Sequence, residues 1–257
     1  TKSNFEIIRR VYSDFNHMVD ELNAVETLRN DFVSNVSHEF KTPLSSIEGY
    51  AMLLQDESLS AEARSEYTER IVVSTRRLST LVSNILMITK IENQTMPFAL
   101  SSYRVDEQVR QSILLLENKW SEKNIGFEMD MDSIEFCAVE GLLGNVWSNL
   151  IDNAIKFSPE GEIIYISLKE KDDMLSFKIA NRGEPMSGET LKRIFEKFYQ
   201  GDTSHKREGN GLGLALVKKI VRVHGGSVSA GNTEDGLIEF TVNLPAKRSC
   251  ERYCGSN

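Results

Sequence analysis

From Phe5 to about Asn93 the chain carries one proline, Pro43, and one glycine, Gly49, and its apolar residues return every three or four positions. That is the period of a helix with one buried face. Val25, Leu28, Phe32, Val36, Phe40, Leu44 and Ile47 make a first stripe. Ile71, Leu78, Leu81, Ile85 and Ile88 make a second, after the polar stretch Asp56 to Glu62. The pattern predicts two long antiparallel helices joined at that stretch. A hairpin cannot cover two full apolar stripes by itself, so a second copy is expected to complete a four-helix bundle, making a homodimer. Residues 1–24 continue the helical spacing without a Gly or Pro break and read as a rod entering the bundle.

Beyond Met96-Pro97 the texture changes to short β-rich runs, Ile163 to Leu168, Leu175 to Ile179 and Leu237 to Leu244, interleaved with helical segments. The helices are expected at Val105 to Trp120, Glu140 to Phe157, Ser187 to Phe195 and Leu212 to His224, the last closed by Gly225-Gly226. The expected organisation is a lead helix over 1–24, a helical hairpin over 25–94, an α/β sandwich over 95–247 and a polar tail over 248–257.

At 257 residues two units are the natural expectation. With 40% apolar and 26% charged residues, the composition is that of an ordinary globular protein. The net charge of −8 argues against broad binding to nucleic acid, which needs an excess of Lys and Arg on one face. Cys137, Cys250 and Cys254 give an odd count without metal-type spacing, which points to a reducing setting. No unbroken run of about 18 apolar residues occurs, so membrane attachment is expected only through a segment preceding this sequence.

Chemistry concentrates first at Ser37-His38-Glu39-Phe40-Lys41-Thr42-Pro43-Leu44. On a helix, His38 and Thr42 share one face while Val36, Phe40 and Leu44 point into the bundle, so His38 is expected to be exposed. A neutral imidazole keeps a lone pair on one nitrogen and can attack phosphorus. Glu39 can take up the proton of the other nitrogen, and Thr42 can hold a water for the reverse, hydrolytic chemistry. Pro43 has no N–H, which leaves the Glu39 carbonyl without its helical partner.

The second concentration is Asn149, Asn153 and Lys156, a polar stripe at i, i+4 and i+7 on an otherwise apolar helix. An amide oxygen can bind Mg²⁺ and an ammonium can face phosphate. Further on, Gly209-Asn210-Gly211-Leu212-Gly213-Leu214 opens a helix, where glycines let the backbone approach phosphate and the helix N-terminus offers unpaired N–H groups. The stretch between, from Phe195 to Glu208 with Lys206-Arg207 near its end, suits a lid over bound triphosphate.

The string Asp31 to Leu44 resembles the H-box of sensor histidine kinases of two-component systems. The later blocks resemble the N-box, F-box and G2-box of the GHKL ATPases, and together the likeness runs from about residue 5 to 245. It implies a phosphoacceptor hairpin that dimerises, followed by a Bergerat-type α/β sandwich. By this likeness His38 is phosphorylated from ATP, Glu39 is the base, Thr42 supports phosphatase action, and a response regulator receiver domain is the partner. Asn153 is implied as the Mg²⁺ ligand. Lys156 and the glycines Gly209, Gly211 and Gly213 are implied as phosphate contacts, Phe157 as an aromatic lining the pocket, Asn181 and Gly183 as the adenine-recognition block, and Asn149, Lys206, Arg207, Leu212 and Leu214 as further nucleotide-binding positions. His17, within Asp14 to Met18, resembles the end of a HAMP relay, as in the cytoplasmic portion of a bacterial inner-membrane or plasma-membrane sensor.

One block departs from the family pattern. Where Asp-x-Gly-x-Gly is usual, this chain has Asn181-Arg182-Gly183-Glu184-Pro185. Asn181 can still accept from an adenine amino group but without charge, a loss of about 1 kcal/mol. Pro185 forbids positive φ and removes a donor. The alternative these changes keep open is a dimeric scaffold or degenerate pseudokinase that binds nucleotide weakly.

Overall fold

The computed structural model describes residues 2–93, 99–201 and 209–246, with backbone alone for part of the first thirty-one. Within them the chain divides into two compact units, residues 1–81 and 82–257.

The first unit is built from α1 (Lys2–Leu53) and most of α2 (Ala61–Glu92). α1 is a single helix, so the expected lead segment and first hairpin helix are one element. Between the helices, Asp56 accepts from the Ser58 backbone N–H at 2.8 Å and hydroxyl at 2.6 Å, closing the turn. Ser60 caps α2 by accepting from Ala63 N at 3.1 Å. The antiparallel register is fixed by Ser74 against Ser46, hydroxyl to hydroxyl at 3.2 Å, and by the tilted contact of the Tyr50 and Tyr67 rings, 5.5 Å apart. Leu44, Val72, Val73 and Leu86 stay exposed in the single chain. Although it has no unbroken apolar run, α2 is long and apolar enough to cross a membrane by length and composition alone. Arg77 and Ser74 tie α2 to α1 through polar contacts, with Glu39 and Ser46.

The second unit is an α/β sandwich. Its five-stranded sheet has the order β2-β4-β5-β7-β6, from β2 (Gly126–Met131), β4 (Ile163–Lys171), β5 (Met174–Arg182), β6 (Ser227–Asn232) and β7 (Leu237–Pro245). β2 and β4 run parallel and the other neighbours antiparallel. A small two-stranded sheet pairs β1 (Ser101–Arg104) with β3 (Glu135–Ala138). Period-two alternation sends Ile164, Ile166, Leu168, Leu175, Phe177, Ile179, Phe240, Val242 and Leu244 into the core. On that layer lie α3 (Val105–Leu114), α5 (Glu140–Phe157) and α7 (Gly213–Val223). α5 packs on β5 and against both other helices. Trp147 and Phe177, both fully buried with rings 4.7 Å apart, form the centre of that contact. Each such buried side chain contributes about 1.5–3 kcal/mol.

The predicted Val105 to Trp120 helix is broken. α3 stops at Leu114 and a short α4 (Glu117–Glu122) follows, because Trp120 Nε1 donates to the Ile113 carbonyl at 3.0 Å and folds the chain back. A short α6 (Gly188–Arg193) is capped by Ser187. α7 ends as expected at Gly225-Gly226: Gly225 has φ +77, and a Cβ on Gly226 would lie 2.3 Å from the Asn243 carbonyl. Cys137 is buried. Cys250 and Cys254 lie outside the described residues.

Candidate functional site

In the first unit, His38 is exposed on α1. Among the described residues its ring has no hydrogen-bond partner, and Thr42, one turn on, donates its hydroxyl to the His38 carbonyl at 3.4 Å. His38 and Thr42 therefore share the solvent face, as the helical spacing predicts, while Pro43 is buried behind them. Glu39 turns the other way. Its carboxylate faces α2, where Arg77 Nη2 lies 3.5 Å from Oε2, and that oxygen is buried without a hydrogen bond. The expected pairing of Glu39 with the His38 ring is thus absent from this structure.

In the second unit α5 carries the other predicted residues. Asn149 donates Nδ2 back to the Asn145 carbonyl at 2.7 Å, which aims Oδ1 at the glycine loop, where a Cβ on Gly213 would lie 2.6 Å from it. A Cβ on Gly209 would lie 2.8 Å from Lys156 Nζ. The structure thus brings together Asn149 and Lys156 with the glycines some sixty residues later in the chain. Asn153, half-buried between them, has no side-chain partner among the described residues. Lys156 Nζ also sits 4.8 Å from the centre of the Phe157 ring.

Gly211 is the tightest point of the loop. It holds φ +64, and a Cβ would lie 2.7 Å from Phe198 Cα, so only glycine fits. Asn210 Oδ1 accepts from Leu212 N at 3.1 Å and shapes the entry to α7. Leu212 has a place other than ligand contact. Its side chain is wholly buried and its N–H is already bonded, so it anchors the loop in the core. Leu214 is half-buried on the first turn of α7. Lys206 and Arg207 lie outside the described residues.

Asn181 closes β5 and is 2% exposed. Nδ2 donates to the Arg182 carbonyl at 3.0 Å, which leaves Oδ1 as the acceptor without a partner among the described residues. Gly183 approaches both Asn181 and the Phe157 carbonyl, with Ile238 3.0 Å from where its Cβ would be. Asn181, Gly183 and the Phe157 carbonyl therefore lie together, and Asn149 and Lys156 lie with the glycine loop, the Lys156 ammonium beside the Phe157 ring joining the two groups.

Sequence reasoning missed two supports. Lys123 donates Nζ to the carbonyls of Ile155 at 3.0 Å, Lys156 at 2.9 Å and Ser158 at 2.9 Å, satisfying the C-terminal end of α5 and opposing its negative dipole. His224, buried, accepts from Val139 N at 3.3 Å through Nε2, and its Nδ1 lies 2.8 Å from the Ile220 carbonyl, which assigns the Nδ1–H tautomer and joins α7 to the start of α5. A single lysine thirty-two residues before its acceptors leaves no pattern to find.

The donor set suits a magnesium–nucleotide complex: an unpartnered amide oxygen at Asn153, a cation at Lys156, and glycine backbone at a helix start. Among the described residues no His, Cys, Asp and Glu cluster could hold a metal without such a ligand.

The family model of the His Kinase A phospho-acceptor domain matches residues 28–94, and that of the histidine kinase-, DNA gyrase B- and HSP90-like ATPases matches residues 138–248. The heme sensor protein HssS of Staphylococcus aureus is 34% identical over 231 residues, 90% of this chain and 50% of HssS. The chain therefore spans about half the length of the curated relatives it matches. Histidine kinase AdeS of Acinetobacter baumannii shares the fold, with a TM-score of 0.67 at 21% identity, covering 82% of this chain and 98% of that one. Full-length ShkA, solved with AMPPNP, has a TM-score of 0.63 at 27% identity over 84% of this chain and 46% of ShkA. ThkA, solved with the response regulator protein TrrA, has a TM-score of 0.67 at 24% identity over 86% and 62%. With a phosphoacceptor hairpin followed by an ATPase-type sandwich, the chain belongs to the sensor histidine kinases of two-component systems.

Proposed function

We propose that this chain transfers the γ-phosphate of ATP to His38 and passes it to an aspartate of a response regulator, and that it also dephosphorylates that regulator with the help of Thr42. The observation that carries the reading is the His38 ring, exposed and unpartnered on α1. In the reaction a ring nitrogen attacks the γ-phosphorus, a nitrogen–phosphorus bond forms, the bond to the bridging oxygen breaks and ADP leaves. Glu39 accepts the proton of the other nitrogen. Mg²⁺, when bound, offsets phosphate charge. Asn153 is the proposed ligand for it, Lys156 opposes phosphate charge, Gly209, Gly211 and Gly213 admit the phosphates to the backbone, and Asn181 Oδ1 accepts from the adenine amino group. Lys206 and Arg207 remain the proposed lid cations.

The exposed apolar residues Leu44, Val72, Val73 and Leu86 support dimerisation through the hairpin. The likeness to HssS supports a membrane-associated sensor whose remaining half supplies the anchor and the stimulus-binding part. α1 would be the connection, its start corresponding to the end of a HAMP-type relay.

Incubation with radiolabelled ATP and Mg²⁺ tests the reading. The parent acquires acid-labile label and His38→Gln acquires none. Label retained in the variant, or none in a folded parent at saturating nucleotide, defeats it. A second reading, a scaffold with weak nucleotide binding, draws on Asn181 and Pro185. Nucleotide titration separates the two, since a scaffold stays unsaturated at millimolar ATP.

A further inference from the structure

We infer that Arg77 is a positioning residue that withholds the Glu39 carboxylate from His38 and so sets how readily the phosphoacceptor reacts. The inference rests on the reading of His38 and Glu39 given above. Three observations carry it. Arg77 on α2 stands 3.5 Å from Glu39 Oε2 across the hairpin. That oxygen is buried and accepts no hydrogen bond, so it is desolvated with the guanidinium as its charge partner in the hairpin. The His38 ring, on the adjacent residue, has no partner among the described residues.

A carboxylate directed into the helix pair cannot also take the proton of an imidazole on the solvent face. Neighbouring positions on a helix point about 100° apart, so Glu39 reaches the His38 ring only by swinging its side chain out of the hairpin. Arg77 opposes that swing by attraction, and the register that faces Arg77 to Glu39 sets how strongly. A shift of α1 against α2 would part the charges and free the carboxylate. The pair is thus a local two-state element in which Arg77 and His38 compete for one group.

The test compares the parent with Arg77→Gln, which keeps length without charge, and Arg77→Lys, which keeps charge. Two measurements are made on the dimeric protein: initial autophosphorylation rates across ATP concentrations, and the ¹⁵N resonances of the His38 ring without nucleotide, assigned with His38→Gln. Arg77→Gln is expected to raise kcat about two- to fivefold, the bias that one partly exposed ion pair can exert. KM for ATP stays unchanged, and the ring resonance moves toward a carboxylate-bonded position. Arg77→Lys stays near the parent in both. A slower Arg77→Gln, or a ring resonance that does not move, overturns the inference. A parent that takes no label defeats the kinase reading instead, and the ring spectrum, which needs no ATP, still decides whether Arg77 withholds Glu39.

Discussion

Phe198 donates its backbone N–H to the Gly211 carbonyl at 2.9 Å, and both residues hold left-handed backbone, φ +63 and φ +64. A bulky residue in that region is strained, by about 1–3 kcal/mol, and persists only where its surroundings enforce it. Here the enforcing contact is the glycine loop itself, so the aromatic segment before the loop and the loop share one conformation.

Gly211→Ala is therefore expected to disrupt both. Its Cβ would meet Phe198 backbone atoms at 2.6–3.0 Å, which no side-chain motion relieves. Titration with ATP should show at least a roughly tenfold loss of affinity, and thermal unfolding a loss of about 2–3 kcal/mol.

Lys123→Met should weaken nucleotide binding without touching nucleotide. Removing the ammonium leaves three carbonyls at the end of α5 without their donor. A destabilisation of about 1–3 kcal/mol is expected by chemical denaturation. ATP affinity should fall several-fold, because Lys156 and Phe157 occupy that last turn.

Acid sensitivity should centre on Asp106. It is buried, accepts from Arg104 at 2.8 and 2.7 Å, from Arg110 at 2.6 Å and from Ile134 N at 3.2 Å, and these donors, the Arg104 bond foremost, hold its carboxyl far below the usual range. A group depressed on folding contributes stability above its unfolded value of about 3.9, and that contribution is lost as pH falls toward the folded value. Unfolding free energy should decline below about pH 4, and Asp106→Asn should flatten that decline while costing about 2–3 kcal/mol at neutral pH.

Tyr103 gives the opposite sign at the other end of the scale. Its hydroxyl is buried without a hydrogen bond, and burial, then the charge of Glu140, pushes the phenol well above its ordinary value. The stability tied to the neutral phenol is present below about pH 10 and is lost as pH rises beyond it. Tyr103→Phe should raise the unfolding free energy by about 1 kcal/mol and remove the alkaline decline, measured by denaturation at pH 8 and pH 11.

Much of this was legible in the residues. α5 begins and ends where its periodicity says, and its polar stripe does meet the glycine loop. The exposure of His38 followed from the spacing of Val36 and Phe40. Other features left no local trace. The break at Leu115 has neither Gly nor Pro, and comes from an indole that reaches back to a carbonyl seven residues earlier. β1, β2, β3 and β6 are short or at an edge, so their alternation is brief and their pairing depends on distant partners. The direction of Glu39 left no trace for a related reason. Its neighbour in sequence is His38, but its charge partner is thirty-eight positions away, brought near by hairpin register.

The 52 residues of α1 extend about 78 Å at 1.5 Å per residue. Between Lys2 and His38 they include neither glycine nor proline, so no joint along that length would absorb a turn of the shaft. A few degrees of rotation imposed at one end would arrive as the same few degrees at the imidazole. The sensor's message would then be angular, and its natural unit would be the bearing of one ring relative to the helix beside it.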